Sequence, residues 1–240
     1  MIHPLDNPAR ASLLGPHARF AQRCGDVLRY PPDVSPFAAL PDAPDPEDWD
    51  AAAQLVGPGG LLAVSGLRTQ PPSGWTVLMH GEGVQLVDAG VVPAADPDAV
   101  ALGLADVTEM LALVERTQPG PFLPRTVELG TYLGIRRGGV LIAMAGERLH
   151  PHGWTEISAV CTAPEHRGQG LATRLVRAVV LGIRERGETP FLHAAASNVN
   201  AIRLYESLGF RLRRRTTFAA FRAPAFSEGR TARSIAAEAS

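Results

Sequence analysis

The sequence predicts a mixed α/β fold. From about residue 100 onward, short apolar runs of strand length alternate with stretches whose apolar residues recur every three to four positions. A glycine-rich loop joins one such strand to one such helix. The composition, 45% apolar against 20% charged over 240 residues, is that of a globular chain long enough for one large core or two smaller ones.

In the first half, Leu14 to Leu28 reads as a helix, and the proline-rich, acidic stretch 31–48 reads as structureless. Strands are expected at Gly60–Ser65, Trp75–His80 and Gly83–Asp88, separated by Gly/Pro turns. Val92 to Asp98 reads as a connector between two units. Gly-Trp-Thr occurs at 74–76 and again at 153–155, a repeat short enough to arise by chance.

The second half is plainer. Asp106 is placed to cap a helix running to Arg116, with Val107, Met110, Leu111 and Val114 on one side and Glu109 three residues in. Strands follow at Tyr132–Ile135 and Val140–Ala145 around the turn 136–139, then at Thr155–Thr162. Leu171, Leu175, Val176, Val179 and Ile183 mark an amphipathic helix ending at Gly187. Phe191–Ala195 is a strand, and the helix from about Asn200 closes at Gly209, in the usual place for a left-handed residue after a helix. Strands Phe210–Arg215 and Thr217–Phe221 end the ordered part. The expected division is 1–98, a smaller α/β domain; 99–222, the second domain; and 223–240, a flexible tail.

Charge separates the halves. Residues 1–100 hold 5 Arg against 12 Asp and Glu, and residues 101–240 hold 18 Arg against 12, balances of −7 and +6. The basic half suits an anionic ligand. With no lysine, a P-loop and Schiff-base chemistry are excluded. Cys24 and Cys161 form neither a disulfide framework nor a zinc site, so no metal is expected. No apolar run reaches the roughly 18 residues needed to cross a bilayer. The opening Met-Ile-His-Pro-Leu-Asp is no signal sequence. The expectation is a soluble, cytoplasmic protein that binds neither membrane nor nucleic acid, the latter needing a broader basic patch with interleaved aromatics.

The chemistry concentrates in Ala163-Pro-Glu-His-Arg-Gly-Gln-Gly-Leu-Ala172. Gly168 and Gly170 let backbone N–H groups turn toward one point just before a helix N-terminus, an arrangement that binds phosphate oxygens. Arg167 adds a fork of donors. A dinucleotide fingerprint fits less well, because its third glycine is Thr173 and the loop starts several residues beyond the strand; a plain glycine turn is the other reading. Asn198-x-x-Ala201-x-x-x-Tyr205-x-x-x-Gly209-Phe210 begins 28 residues past Gly170.

Together, Arg167-x-x-Gly170-x-Ala172 and the Asn198–Phe210 pattern resemble the GNAT superfamily of acyl-CoA-dependent N-acetyltransferases, over roughly residues 100–222. Glu156–Thr162 and Pro119–Phe122 look like the branch of glycine N-acyltransferase-like proteins. The resemblance implies a GNAT domain with a splayed, mostly antiparallel sheet, preceded by a smaller unit that is read as a degenerate copy of it. It implies acetyl-CoA as acyl donor and a small-molecule or peptide amine as acceptor, which no residue of the sequence identifies further.

On the residues, the resemblance assigns the backbone of Arg167, Gly168, Gln169, Gly170, Leu171 and Ala172 to the pyrophosphate. Val160 and Thr162 would lie along the pantetheine, with the Val160 N–H facing the thioester carbonyl, where charge develops in acyl transfer. Asn198 would bond the pantetheine arm. Tyr205 would protonate the departing sulfur, or orient it, or simply pack with its hydroxyl satisfied. Glu156 would be the general base, unless a water chain removes the amine's proton and Glu156 is a rim carboxylate touching solvent or an arginine. The Pro119–Phe122 turn and the N-terminal unit would wall the amine side. An acyl-CoA sensor without turnover is the alternative. Elsewhere, His150-Pro-His152 reads as a surface turn, His193 as a satisfied interior imidazole or an aid to deprotonation beside the acyl-binding region, and Cys161 as buried. On a strand about half of Arg211, Arg213, Arg214 and Arg215 would face water.

Overall fold

The computed structural model describes residues 3–67 and 69–225, so most of the expected tail lies outside the described residues. In chain order the elements are α1 (Pro8–Leu13), β1 (Gln22–Cys24), β2 (Val27–Arg29), β3 (Ala38–Ala39), α2 (Pro46–Val56), β4 (Leu61–Ser65) and β5 (Thr76–Asp88). They continue with β6 (Ala99–Leu102), α3 (Val107–Thr117), β7 (Tyr132–Arg137), β8 (Val140–Glu147), β9 (Trp154–Thr162), α4 (Leu171–Glu185), β10 (Thr189–Ala195), α5 (Val199–Leu208) and β11 (Phe210–Arg222). The mixed α/β class is as expected.

Two first-half readings are corrected. Leu14–Leu28 is not a helix: α1 stops before Gly15-Pro16, and residues 22–29 form the β1–β2 hairpin around Gly25, which has φ +54°. Proline cannot continue the ladder of helix hydrogen bonds, and a left-handed residue closes a tight turn. Nor is 31–48 structureless throughout. It contains β3, and α2 starts at Pro46 behind a reciprocal cap in which Asp45 accepts from the Asp48 N–H and Asp48 accepts from the Asp45 N–H. Proline at the first helical position and a capping box are a start signal that the proline count conceals.

Two pairs of expected strands are single strands. Trp75–His80 and Gly83–Asp88 merge into β5, and 210–215 with 217–221 into β11, which pairs antiparallel with β5 through irregularities at Leu212/Arg214 and Ala220/Phe221. Gly83 permits the merger because Phe218 lies across it: a Cβ there would meet the ring at 2.3 Å.

The main sheet has eight strands in the order β4-β11-β5-β10-β9-β8-β7-β6. Strands from both sides of residue 98 share it, so the two expected units have one sheet in common. The connector 92–98 is pinned to α4, since Arg174 grips Asp96 at 2.5 Å and Asp98 at 2.6 Å. A small sheet, β1-β2-β3, lies outside the main one.

The two faces are covered differently. On one, α4 and α5 bury Leu175, Val176, Val179, Ile183 and Tyr205 against Leu86, Ile142, Ile157 and Leu192. Each fully buried aliphatic side chain contributes about 1.5–3 kcal/mol. On the other, Met110 and Leu113 of α3 pack on Leu141, Met144 and Cys161. Beside them, N-terminal residues such as Leu5, Leu13, Tyr30 and Phe37 pack on Phe191 and Leu149. The alternation Phe191 down, Leu192 up is the strand period at work.

Candidate active site

The parallel pair β9–β10 is in register only from Thr189↔Trp154 to Leu192↔Ile157. Beyond that the strands part. β10 continues along β5 to Ala195↔Gly83, while β9 continues along β8 to Thr162↔Ala143. A register shift on the β8 side sets Cys161 opposite Met144 and Ser158 opposite Gly146, so Ala159 and Val160 have no paired residue on either neighbour. Ala159 has φ +52°. Such a bulge leaves main-chain groups free and re-aims the strand; a non-glycine residue held there costs about 1–3 kcal/mol.

The gap opens a cavity of about 1320 Å³ whose lining includes Ser158–Thr162, Gly168, Gly170, Asn198 and Tyr205. At one end, Gly168 and Gly170 have φ +76° and +73°, and Gly170 precedes the first turn of α4. Nothing lies within 4 Å of the place a Cβ would take at either glycine. Left-handed backbone, not crowding, is therefore what calls for glycine. The N–H groups of that first turn have no partner within the helix and face the cavity end, with the helix dipole behind them. This is the geometry a diphosphate-bearing donor needs.

The expected site residues distribute as follows. Val160, Thr162, Arg167, Gly168, Gly170, Leu171, Ala172, Asn198 and Tyr205 all line the cavity. Gln169 does not; its amide oxygen accepts from Arg137 Nη1 at 2.9 Å. Thr162 Oγ1 is buried without a partner among the described residues. Asn198 Oδ1 accepts from the Ala201 N–H at 3.2 Å and so caps α5. Tyr205 packs edge-on against Phe210, and burial, with Cys161 nearby, pushes its phenol up to about 12. It stays protonated at neutral pH, as a proton donor must. Cys161 is buried, and burial raises its thiol to about 11, far from a thiolate nucleophile.

Glu156 does not reach the cavity surface, where a base would meet the amine. It is 0% exposed and is not among the cavity-lining residues. Arg148 Nε donates to its Oε2 at 2.9 Å and Arg148 Nη2 to its Oε1 at 2.7 Å, while His193 Nδ1 lies 2.7 Å from Oε1. Burial opposes the ionised form, but the Arg148 guanidinium and the His193 N–H outweigh it and hold the carboxyl at about 2. Both carboxylate oxygens are thus engaged by Arg148 and His193, away from the cavity surface.

The histidine's tautomer follows from its neighbours. Gln85 Oε1 accepts from Arg213 Nη1 at 2.8 Å, which fixes the amide so that Gln85 Nε2 donates to the Leu5 carbonyl and to His193 Nε2. The imidazole proton is then on Nδ1, donated to Glu156. Arg213 and Arg214 both pair with Asp6, so these two arginines face the N-terminal segment instead of water. His150 likewise is no plain surface turn: its ring lies tilted 4.9 Å from that of His17, and Thr155 Oγ1 is 3.2 Å from its Nδ1.

Sequence reasoning missed Arg148 and Phe37, both in the cavity wall. The register carries a signal for Arg148: Glu147 pairs with Ile157, which sets Arg148 across from Glu156, an opposite-charge cross-strand pair. Phe37, held through the N-terminal layer, leaves no local signal. Of the expected Pro119–Phe122 turn, Pro119, Gly120 and Pro121 line the cavity, joined by Thr117 and Gln118, whereas Phe122 turns away onto Tyr132.

A mixed sheet whose parallel pair opens onto a cavity headed by a helix N-terminus defines the structural class. The family model for FR47-like protein matches residues 132–219. A GNAT-family structure from Novosphingobium aromaticivorans DSM 12444 is 42% identical, with 94% of this chain and 100% of that chain covered at a TM-score of 0.85. A GCN5-related N-acetyltransferase from Kribbella flavida is similar in fold, at 20% identity, with 90% and 95% covered and a TM-score of 0.56. A Drosophila protein matches at 17% identity, with 84% and 74% covered and a TM-score of 0.59. No curated protein matches the chain. The chain belongs to the GNAT family. Among the described residues no helix is long and apolar enough to cross a membrane.

Proposed function

We propose that the protein transfers the acetyl group of acetyl-CoA to a primary amine, of a small molecule or a peptide, by direct attack within a ternary complex. The observation that carries this reading is the unpaired Ala159–Val160 backbone, set between the glycine turn and Tyr205 on one cavity. The first turn of α4 and Arg167 hold the diphosphate, and the strand from Val160 to Thr162 runs beside the pantetheine. The Val160 N–H, fixed before substrate arrives, donates to the carbonyl oxygen as negative charge grows on it. The amine nitrogen bonds to the carbonyl carbon, the C–S bond breaks, and Tyr205 supplies the proton that leaves CoA as a neutral thiol. The amine's own proton departs through water, because Glu156 is occupied by Arg148 and His193.

The finer likeness to glycine N-acyltransferase-like proteins rests on Glu156–Thr162 and Pro119–Phe122. Both stretches contribute to the cavity wall, at Ile157–Thr162 and Pro119–Pro121.

The test is release of free thiol from acetyl-CoA across a panel of amines, with initial rates measured as both substrates vary. Intersecting lines are expected, whereas parallel lines would mean an acyl-enzyme and end the direct-attack reading. Stabilisation by acetyl-CoA without thiol release from any amine would make the protein a sensor.

A further inference from the structure

The wall of the cavity opposite the glycine turn carries a charged side chain whose bonding is incomplete. Arg148 is 8% exposed. Its Nε and Nη2 are used on Glu156, and the Phe37 ring lies 4.9 Å from its Cζ. Its Nη1 bonds to none of the described residues, yet Arg148 lines the cavity. Nη1 is not among the buried side-chain atoms that lack a partner, so this nitrogen opens onto the cavity while the rest of the guanidinium is held by Glu156. A charged donor presented there is met by an anionic oxygen brought in through the cavity, as a carboxylate supplies.

Next to this donor the wall is apolar. Phe37, Ala63, Val64, Met79 and Phe218 line the cavity, together with Leu61. Leu61 and Met79 remain 53% and 47% exposed, on strands that flank β11. A ligand with an apolar body would cover that surface, and a two-carbon acceptor would leave it wet. Glu82 and Arg215 at the rim form no ion pair among the described residues, so the cavity offers both signs to a zwitterion.

We propose that the acceptor is an α-amino acid with a large apolar side chain, its carboxylate on Arg148 Nη1 and its side chain against Phe37, Val64, Met79 and Phe218. This rests on the amine-acetylation reading and names its substrate class. Glu156 and His193 act through Arg148: the carboxylate holds the guanidinium, and the imidazole holds the carboxylate. The reaction is unchanged, with the amino nitrogen forming the new C–N bond and the thioester C–S bond breaking.

The experiment uses the full chain with acetyl-CoA and four acceptors: L-phenylalanine, phenethylamine, L-phenylalaninamide and glycine. Removing the carboxylate is expected to lower kcat/KM about 10- to 100-fold, the value of a charge-assisted hydrogen bond, for both phenethylamine and the amide. Glycine is expected to fall about 10-fold or more below L-phenylalanine, for loss of the apolar contact. Equal rates with and without the carboxylate would overturn the Arg148 assignment, and glycine matching L-phenylalanine would overturn the apolar wall. The paired variant Arg148→Met with Glu156→Gln removes both charges without leaving either alone, and should bring L-phenylalanine level with phenethylamine. Should the pair fail to fold, the substrate ratios on the native protein still decide. Thiol release with other amines, such as a polyamine, but not with L-phenylalanine refutes this inference and keeps the transferase reading. Silence across every amine refutes both.

Discussion

At the α4 end of the cavity the working groups are main-chain N–H donors presented by a turn at Gly168 and Gly170; at the N-terminal end they are the side chains of Arg148, Glu156, His193 and Gln85. The first end depends on backbone conformation, so it tolerates changes of side chain and fails when a residue resists a left-handed φ. The second depends on charge and hydrogen-bond completeness in a buried setting, where removing one member leaves the others unmet. A phosphate-bearing donor common to a family fits an end made of backbone. An end made of side chains is where the proposed acceptor would be selected.

Breaking the side-chain end alone should give the largest effect. Arg148→Ala leaves the buried Glu156 with His193 as its remaining partner and without a guanidinium to balance its charge, and urea unfolding should show a loss of about 3–5 kcal/mol. The paired Arg148→Met, Glu156→Gln change should cost far less, which separates the charge imbalance from the loss of packing. If the single and paired variants unfold alike, the network is not what holds that end together.

Tyr205→Phe lies between the two ends and tests the chemistry. It should lower kcat about 100-fold, a typical contribution of a positioned proton donor, with little change in KM for acetyl-CoA. A fall in KM affinity with kcat preserved would instead make Tyr205 a packing residue.

At the backbone end, Gly170→Ala forces a non-glycine residue to φ +73°, at a cost of about 1–2 kcal/mol. Calorimetry should find CoA bound about 10-fold more weakly while the preference among acceptors stays as it was. Altered acceptor preference would show that the two ends are not independent.

The smallest effect concerns acid. Burial, the neighbouring His150 and Arg19 push His17 down to about 3, against the Leu129 carbonyl, which raises it. Above pH 6.5 the imidazole is neutral in both states and contributes no pH dependence. Below it the unfolded chain takes up a proton that the folded chain refuses, so stability falls by at most about 1.4 kcal/mol per pH unit for this group. His150, also lowered chiefly by burial, acts in the same direction. The Glu156 contribution is present above pH 4.5 and is lost only as pH falls through about 2, so unfolding at pH 7 and 5.5 reads the histidines. His17→Phe should flatten that interval.

The readable and unreadable parts of the molecule divide along the same line. Helix α4, the glycine turn and α5 with its closing Gly209 are written in local patterns: an apolar stripe, two left-handed glycines and an asparagine that caps its own helix. The N-terminal half misled because its signals compete. Prolines suggested absence of structure where Pro46 starts a helix, and a run of apolar residues suggested a helix where Gly15-Pro16 and Gly25 cut it into short pieces.

The sequence by itself determined the class of fold, the left-handed glycine turn at 168–170 and the strand and helix on either side of it, because each depends on residues near one another in the chain. Only the tertiary structure decided what Glu156 touches, since its partners Arg148 and His193 reach it across neighbouring strands. It alone brought Phe37 and Met79 to the same cavity and drew β4 and β5 into the second half's sheet. Burial and charge balance belong to the packed molecule as a whole, and no local pattern encodes them.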